Sequence, residues 1–243
     1  MRIKIGTWNL NRSKQQLPMQ LKYLRNTLKL DLAFLQETYN PNPLRAQGQP
    51  CSVFRCCIDK NGKKLHWGST IWTRDLPLKK FSLDGYLGQP GRVVGATTTL
   101  PDSTSLYLVC IHVPTGDNNR YVFPNLETVF CELDVKLTGT RGIIGGDLNT
   151  ARKLGIRWPK YGHREFWASI DRGRFVDCHY SRHSDERQTF YRRNAKLDKL
   201  KIQDDHLFVT SLLEKQFKDC KVINTPKARE LSDHLPVIAT LDL

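Results

Sequence analysis

Apolar residues in this chain fall first at alternate positions and then at helical spacing, and the apolar runs repeatedly end in short polar stations. Residues 2–8 alternate as a strand does. Leu17, Leu21, Leu24 and Leu28 recur at the period of a helix over 17–30, and 31–35 is a second, buried strand. The opening is therefore β-α-β. Pro41, Pro43, Gly48 and Pro50 set an irregular loop, after which 52–58 and 68–73 predict consecutive strands joined by an Asn61-Gly62 hairpin turn. Residues 93–100 and 106–113, separated by Pro101-Asp102-Ser103, predict another hairpin.

The spacing then predicts a long helix over 119–137, interrupted near Pro124, a strand at 142–144, a basic loop over 152–164 and a short helix over 165–172. Phe190-Tyr191 and residues 206–209 predict late strands, 211–218 a helix, and Val222-Ile223 and 237–241 the closing strands. Strands with helices returning between them suit two packed sheets flanked by helices, and periodicity alone equally permits a doubly wound sheet. No repeat, low-complexity tract or linker interrupts the 243 residues, so a single domain over 1–243 is expected.

The polar stations carry the candidate chemistry. Glu37 closes the second strand and Asn9 the first, and an oxygen-only pair at neighbouring strand ends can hold Mg2+ or Mn2+. In Gly145-Gly146-Asp147-Leu148-Asn149 the paired glycines are expected to let the backbone bend, and Asp147 and Asn149, alternating around Leu148, share a face. The carboxylate can orient or deprotonate a water, and the amide can donate to a phosphate oxygen without adding charge. Ser232-Asp233-His234 places a carboxylate and an imidazole directly before the final strand, with Asp205 the candidate to orient the ring. Each station alone also suits a turn or cap. His66, His163, His179 and His183 are given no role.

Charge narrows the partner. Lys and Arg number 38 against 24 Asp and Glu, a formal charge of +14, so a polyanion is expected, nucleic acid first and an anionic membrane surface second. Between the Asp147 and Asp205 stations, Arg152, Arg157 and Arg192 are interleaved with Trp158, Tyr161, Trp167, Phe190 and Tyr191, a composition that suits a groove tracking a backbone with stacked bases. The seven Cys form no C-x-x-C pair, and Met1 runs into Ile3 and Ile5 without a leader pattern. Reduced thiols and a cytoplasmic location are expected. No apolar run approaches the roughly 20 residues of a spanning helix, so no stable membrane association is expected.

Taken in order, Thr7-Trp8-Asn9-Leu10-Asn11, Leu35-Gln36-Glu37, Ile111-His112, Gly145-Gly146-Asp147-Leu148-Asn149-Thr150, Asp205-His206-Leu207-Phe208-Val209 and Ser232-Asp233-His234-Leu235-Pro236-Val237 resemble the endonuclease/exonuclease/phosphatase superfamily, which includes DNase I and exonuclease III. The resemblance implies a DNase I-like four-layered α/β sandwich, two mixed β-sheets packed face to face and flanked by helices, with a metal-dependent phosphodiesterase site at one end. It also implies that Asn9 and Glu37 hold Mg2+ with Asp233 beside it, that Asp147 activates water, that Asn149 binds the scissile phosphate, and that His234, held by Asp205, stabilises the transition state.

His112 takes the second histidine position of the DNase I-like and sphingomyelinase-like branches, without an obvious acidic partner, and Arg92 matches a phosphate-contacting Arg. Tyr39 follows Thr38 where the abasic-site branch has Lys, and His112 stands where it has Tyr, so abasic-site repair is not favoured. The function expected is a divalent-metal-dependent nuclease on DNA or RNA, with a phosphatase or phospholipase-type phosphodiesterase on inositol phosphates, phosphoinositides or sphingomyelin as the alternative.

Overall fold

The computed structural model describes residues 1–41, 52–59, 61–83, 91–113, 124–157, 162–191 and 201–243. Two six-stranded sheets pack against one another. Numbered along the chain, one sheet runs β11 (Phe217–Val222), β12 (Val237–Asp242), β1 (Arg2–Asn9), β2 (Leu32–Tyr39), β4 (Lys64–Thr73), β3 (Ser52–Ile58). The other runs β5 (Lys79–Phe81), β6 (Val93–Thr99), β7 (Ser105–His112), β8 (Arg141–Asp147), β10 (Asp205–Thr210), β9 (Phe175–Asp177). Each holds one parallel pair, β1 with β2 and β7 with β8, among antiparallel neighbours. The two-sheet alternative is the one the chain adopts.

Alternation along each strand sorts side chains into layers. Ile5, Phe34 and Ile71 of the first sheet meet Leu108, Ile143 and Leu207 of the second in the central core. The opposite face of the first sheet, Trp8, Leu35 and Ile238, is covered by Leu24 and Leu28 from the segment after α1 (Leu17–Lys22) and by Leu231 of α6 (Pro226–Leu231). On the outer face of the second, Val109, Ile144 and Phe208 pack on Phe130 of α2 (Pro124–Lys136) and Phe166 of α4 (His163–Arg172). Helix, sheet, sheet, helix is a four-layered α/β sandwich. No described helix is long and apolar enough to cross a membrane, and six cysteines are free thiols.

Several local expectations change. The helix expected over 17–30 gives way at Tyr23–Thr27 to wider π-type turns, with the Leu28 N–H donating to the Tyr23 carbonyl at 2.9 Å. The basic loop contains α3 (Arg152–Arg157), whose first N–H groups donate to the distant carboxylate of Glu186, a cap that local sequence cannot announce. β9 and α5 (Cys178–His183) were not foreseen; Asp177 ends the first and caps the second, accepting from the N–H groups of His179 and Tyr180. Residues 211–218 hold a single 3-10 turn, Ser211–Leu213, and then β11. Phe190 makes only an isolated bridge to His234. Residues 119–123 of the long helix lie outside the described residues.

The paired glycines do not bend the chain. Gly145 and Gly146 lie inside β8, and neither has a positive φ. A Cβ on Gly145 would stand 2.3 Å from Cδ2 of Phe34 in the facing sheet, and one on Gly146 2.2 Å from the Ile111 carbonyl oxygen. The glycines let the sheets and the β7/β8 pair approach closely beneath Asp147.

Candidate active site

Register brings the stations to one end of the sandwich. Asn9 pairs with Gln36 across β1 and β2, while His112, Asp147 and Asp205 form one row across β7, β8 and β10. Beneath the row, the Gln36 amide donates to Thr7 Oγ1 at 3.1 Å and reaches Cys110 Sγ of the other sheet at 3.2 Å. Burial pushes the Cys110 thiol up to about 12, so it ties the sheets together and is no nucleophile. The turn before β12 is fixed by Ser232 Oγ donating to the Asn9 carbonyl at 2.7 Å and by Trp8 Nε1 donating to the His234 carbonyl at 2.8 Å. A pocket of about 320 Å3 opens above.

On one wall, His234 Nδ1 donates to Asp205 Oδ2 at 2.8 Å and its Nε2 lies 3.9 Å from Asp147 Oδ2. Burial by itself would lower the imidazole, but the Asp205 and Asp147 carboxylates outweigh it and hold His234 well above its ordinary value. Asp147 accepts from the Asn9 side-chain amide at 2.8 Å and from the Asn149 N–H at 3.0 Å. Burial pushes it well above the usual carboxylate range, Asp205 and Asp204 add to the push, and His234 opposes it. A carboxylate of raised basicity thus faces an imidazolium. Asn149, at φ 48°, donates from its side chain to the Val113 carbonyl at 2.8 Å.

On the other wall, His112 Nδ1 meets Arg92 Nη1 at 3.1 Å and its Nε2 lies 3.5 Å from Glu37 Oε1. A guanidinium only donates, so Nδ1 accepts and the proton sits on Nε2, toward Glu37. Burial first, then the charges of Arg92, His234 and Arg12, push His112 well below its ordinary value and keep it neutral. Glu37 is therefore the acidic partner that the sequence did not reveal. Its backbone is left-handed at φ 47°, and Oε2 accepts from Arg12 Nε at 2.7 Å. Burial raises the Glu37 carboxyl, with Arg12 opposing.

The oxygen donors expected for a cation line this pocket: Glu37, Asp233 and Asn9, with Asn11 beside them. Asp233 Oδ1 is buried without a hydrogen-bond partner, and an unsatisfied carboxylate oxygen among neutral amides fits a hard divalent ion. Among the described residues, Asp147, Asp205 and His234 also bring ligand-type atoms within 4.8 Å of one another. His234 spends Nδ1 on Asp205 and is held in its charged form, so this trio suits a proton relay better than a cation cage.

Arg152 needs correction as a nucleic-acid contact. Its Nη1 pairs with Asp171 Oδ2 at 2.7 Å, and its guanidinium lies over Trp167 at 4.6 Å and Tyr180 at 3.9 Å, so it staples α3 to α4 and α5. Trp167 is likewise core. The side chain of Arg157, and Arg192, Trp158 and Tyr161, lie outside the described residues. Sequence reasoning missed Arg12 and Trp67, which both line the pocket. Arg12 reaches back to Glu37 because Asn11 and Arg12 are left-handed, at φ 52° and 50°. A polar run just past a strand end was its only signal. The Trp67 ring carries Arg12 at 4.8 Å and Arg92 at 5.8 Å, and no local pattern marks it.

No protein-family model and no curated protein matches the sequence. Solved structures do match the fold. An AP endonuclease, LMAP, from Leishmania major is similar over 100% of this chain and 88% of that one, with a TM-score of 0.70 at 20% identity. The endonuclease domain of TRAS1, a telomere-specific non-LTR retrotransposon, is similar over 100% and 99%, with a TM-score of 0.69 at 16% identity. The chain has the DNase I-like fold that its motifs resemble.

Proposed function

We propose that this protein is a divalent-metal-dependent endonuclease that hydrolyses phosphodiester bonds of DNA or RNA. The observation that carries the reading is the Asp147–His234–Asp205 chain facing the Glu37 and Asp233 carboxylates across one pocket. The formal charge of +14 and the endonuclease activities of both structural neighbours favour a nucleic acid over a small or lipid phosphate.

Asp147, aligned by the Asn9 amide and the Asn149 N–H, takes a proton from the attacking water as the water oxygen bonds to phosphorus, the scissile P–O bond opposite breaks, and the departing alkoxide takes a proton from solvent. His234, charged and oriented by Asp205, donates from Nε2 to a non-bridging oxygen as negative charge builds there. The Asn149 amide adds an uncharged donor. His112 is neutral and lies between Arg92 and Glu37, which suits gripping a phosphate oxygen together with Arg92 better than protonating a leaving group. Glu37, Asn9 and Asp233 would hold Mg2+, or Mn2+ in its place, which supplies positive charge at the phosphate when bound. Arg12 now neutralises Glu37, and its half-exposed side chain is free to yield that oxygen.

The test is incubation with labelled single- and double-stranded DNA and RNA in Mg2+ or in EDTA. Cleavage in Mg2+ that EDTA abolishes is expected. Absence of metal-dependent cleavage of every substrate, with phosphate released from an inositol phosphate panel, would replace this reading with the phosphatase one.

A further inference from the structure

A second cavity, of about 510 Å3, lies on the other side of the Phe190-Tyr191 rib from the active-site pocket. Adjacent residues of an extended segment point to opposite faces, so Phe190 stacks on His234 at 4.7 Å between ring centroids while Tyr191 lines the second cavity. The rib is fixed to the turn before β12 by two bonds: the Tyr191 N–H donates to the Asp233 carbonyl at 2.8 Å, and the Leu235 N–H donates to the Thr189 carbonyl at 2.6 Å. The segment therefore contributes to the lining of both cavities, Phe190 to the active-site pocket and Tyr191 to the cleft.

The cleft is built for negative charge. Lys153, Arg187, Lys201 and Lys221 line it against two carboxylates, Asp185 and Glu186. Asp185 is taken by Lys153 at 3.0 Å, and the Glu186 carboxylate turns inward to accept the backbone N–H groups of Arg152 and Lys153. Among the described residues, Arg187, Lys201 and Lys221 form no ion pair, and all are exposed. Lys221 also pushes down the ammonium of Lys4 nearby, after the larger effect of burial. At the rim, Arg229 sits over the Tyr191 ring at 4.6 Å. None of these groups lines the active-site pocket, and a cleft in which cations outnumber carboxylates raises the local concentration of anions.

We propose that this cleft is a second phosphate-binding site that holds the sugar-phosphate backbone of a nucleic-acid strand after it crosses the Phe190-Tyr191 rib. The proposal rests on the nuclease reading for the identity of its ligand. It makes the protein grip its substrate on one side of the cut through backbone charge, with little preference for base sequence. Lys221 and Arg187 are the principal contacts, and Lys201 is the third.

The experiment compares the intact protein with the double variant Arg187→Glu/Lys221→Glu and the conservative Arg187→Lys/Lys221→Arg. Binding of a labelled oligonucleotide is measured against salt in EDTA, and hydrolysis of bis(p-nitrophenyl) phosphate, which fills only the active-site pocket, is measured in Mg2+. The charge reversal is expected to weaken oligonucleotide binding by at least roughly tenfold and to flatten the log-log salt dependence by about 0.7 per lost contact on a single strand. Hydrolysis of the small diester should stay at the parent rate, and the conservative variant should bind as the parent does. Unchanged oligonucleotide affinity in the reversed variant would overturn the cleft assignment, as would an equal loss on the small diester. Failure of the parent to cleave any labelled DNA or RNA in Mg2+ sinks the nuclease reading instead, and the binding arm then still decides the cleft.

Discussion

Two buried histidines face each other across the pocket and carry opposite charge states. His234 is flanked by Asp205 and Asp147 and is held protonated, whereas His112 is flanked by Arg92 and is held neutral. Burial lowers both; the neighbouring charge decides. The lesson is that an imidazole's role here follows from the strand row on which its neighbours stand. His234 can stabilise developing negative charge, and His112 can only position. Removing each in turn is the sharpest way to test that difference. His234→Ala and Asp147→Ala are expected to lower kcat by about a thousandfold or more, with thermal unfolding little changed. Retention of more than a tenth of the parent activity in either would break the assignment. His112→Ala and Arg92→Ala should instead cost on the order of 10- to 100-fold, chiefly in KM, since both act on phosphate binding.

The same contrast can be sharpened through pH. His234 must keep its proton, so activity is expected to fall as pH rises through its elevated pKa. Asp147 must lose one, so activity falls as pH drops through a value above the usual carboxylate range. Asp205→Asn removes the charge that lifts His234. It should therefore move the alkaline limb of kcat/KM to lower pH, with a loss of about 100-fold at the optimum. An alkaline limb that stays in place would show that another group sets it.

How much of this was legible depended on whether the cause was local. Most strands announced themselves by alternation or by a short apolar run, though β5 and β9 did not, and the stations at their ends gave Asn9, Glu37, Asp147 and His234, which line one pocket, with Asp205 holding His234 from behind. Missing were features made by long-range contacts. α3 depends on Glu186, Arg152 is captured by Asp171, and Trp67 enters the pocket only because β4 pairs beside β2. The glycines before Asp147 suggested a bend in the backbone, whereas they permit the close approach of Phe34 and Ile111. Trp67→Ala removes the ring under both Arg12 and Arg92. It is expected to raise KM for oligonucleotides several-fold with kcat nearly unchanged, and equal KM values would mean that the ring only fills space.

The smallest effect separates a histidine of the scaffold from those of the site. His163 opens α4, is fully buried and shares a 2.8 Å hydrogen bond through Nδ1 with Thr150 Oγ1. Burial lowers its pKa to about 4, from an ordinary value of 6.5. Between those values the unfolded chain takes up a proton that the folded one refuses, so the His163 contribution to stability is full above about 6.5 and is lost as pH falls toward about 4. The loss amounts to at most about 3 kcal/mol. His163→Gln keeps a polar group near Thr150 and cannot titrate. Between pH 7 and pH 4 the unfolding free energy of the parent should therefore fall relative to the variant's by up to about 3 kcal/mol, with kcat unchanged where both are folded. Parallel stability curves for the two proteins across that window would place the titration in some other group.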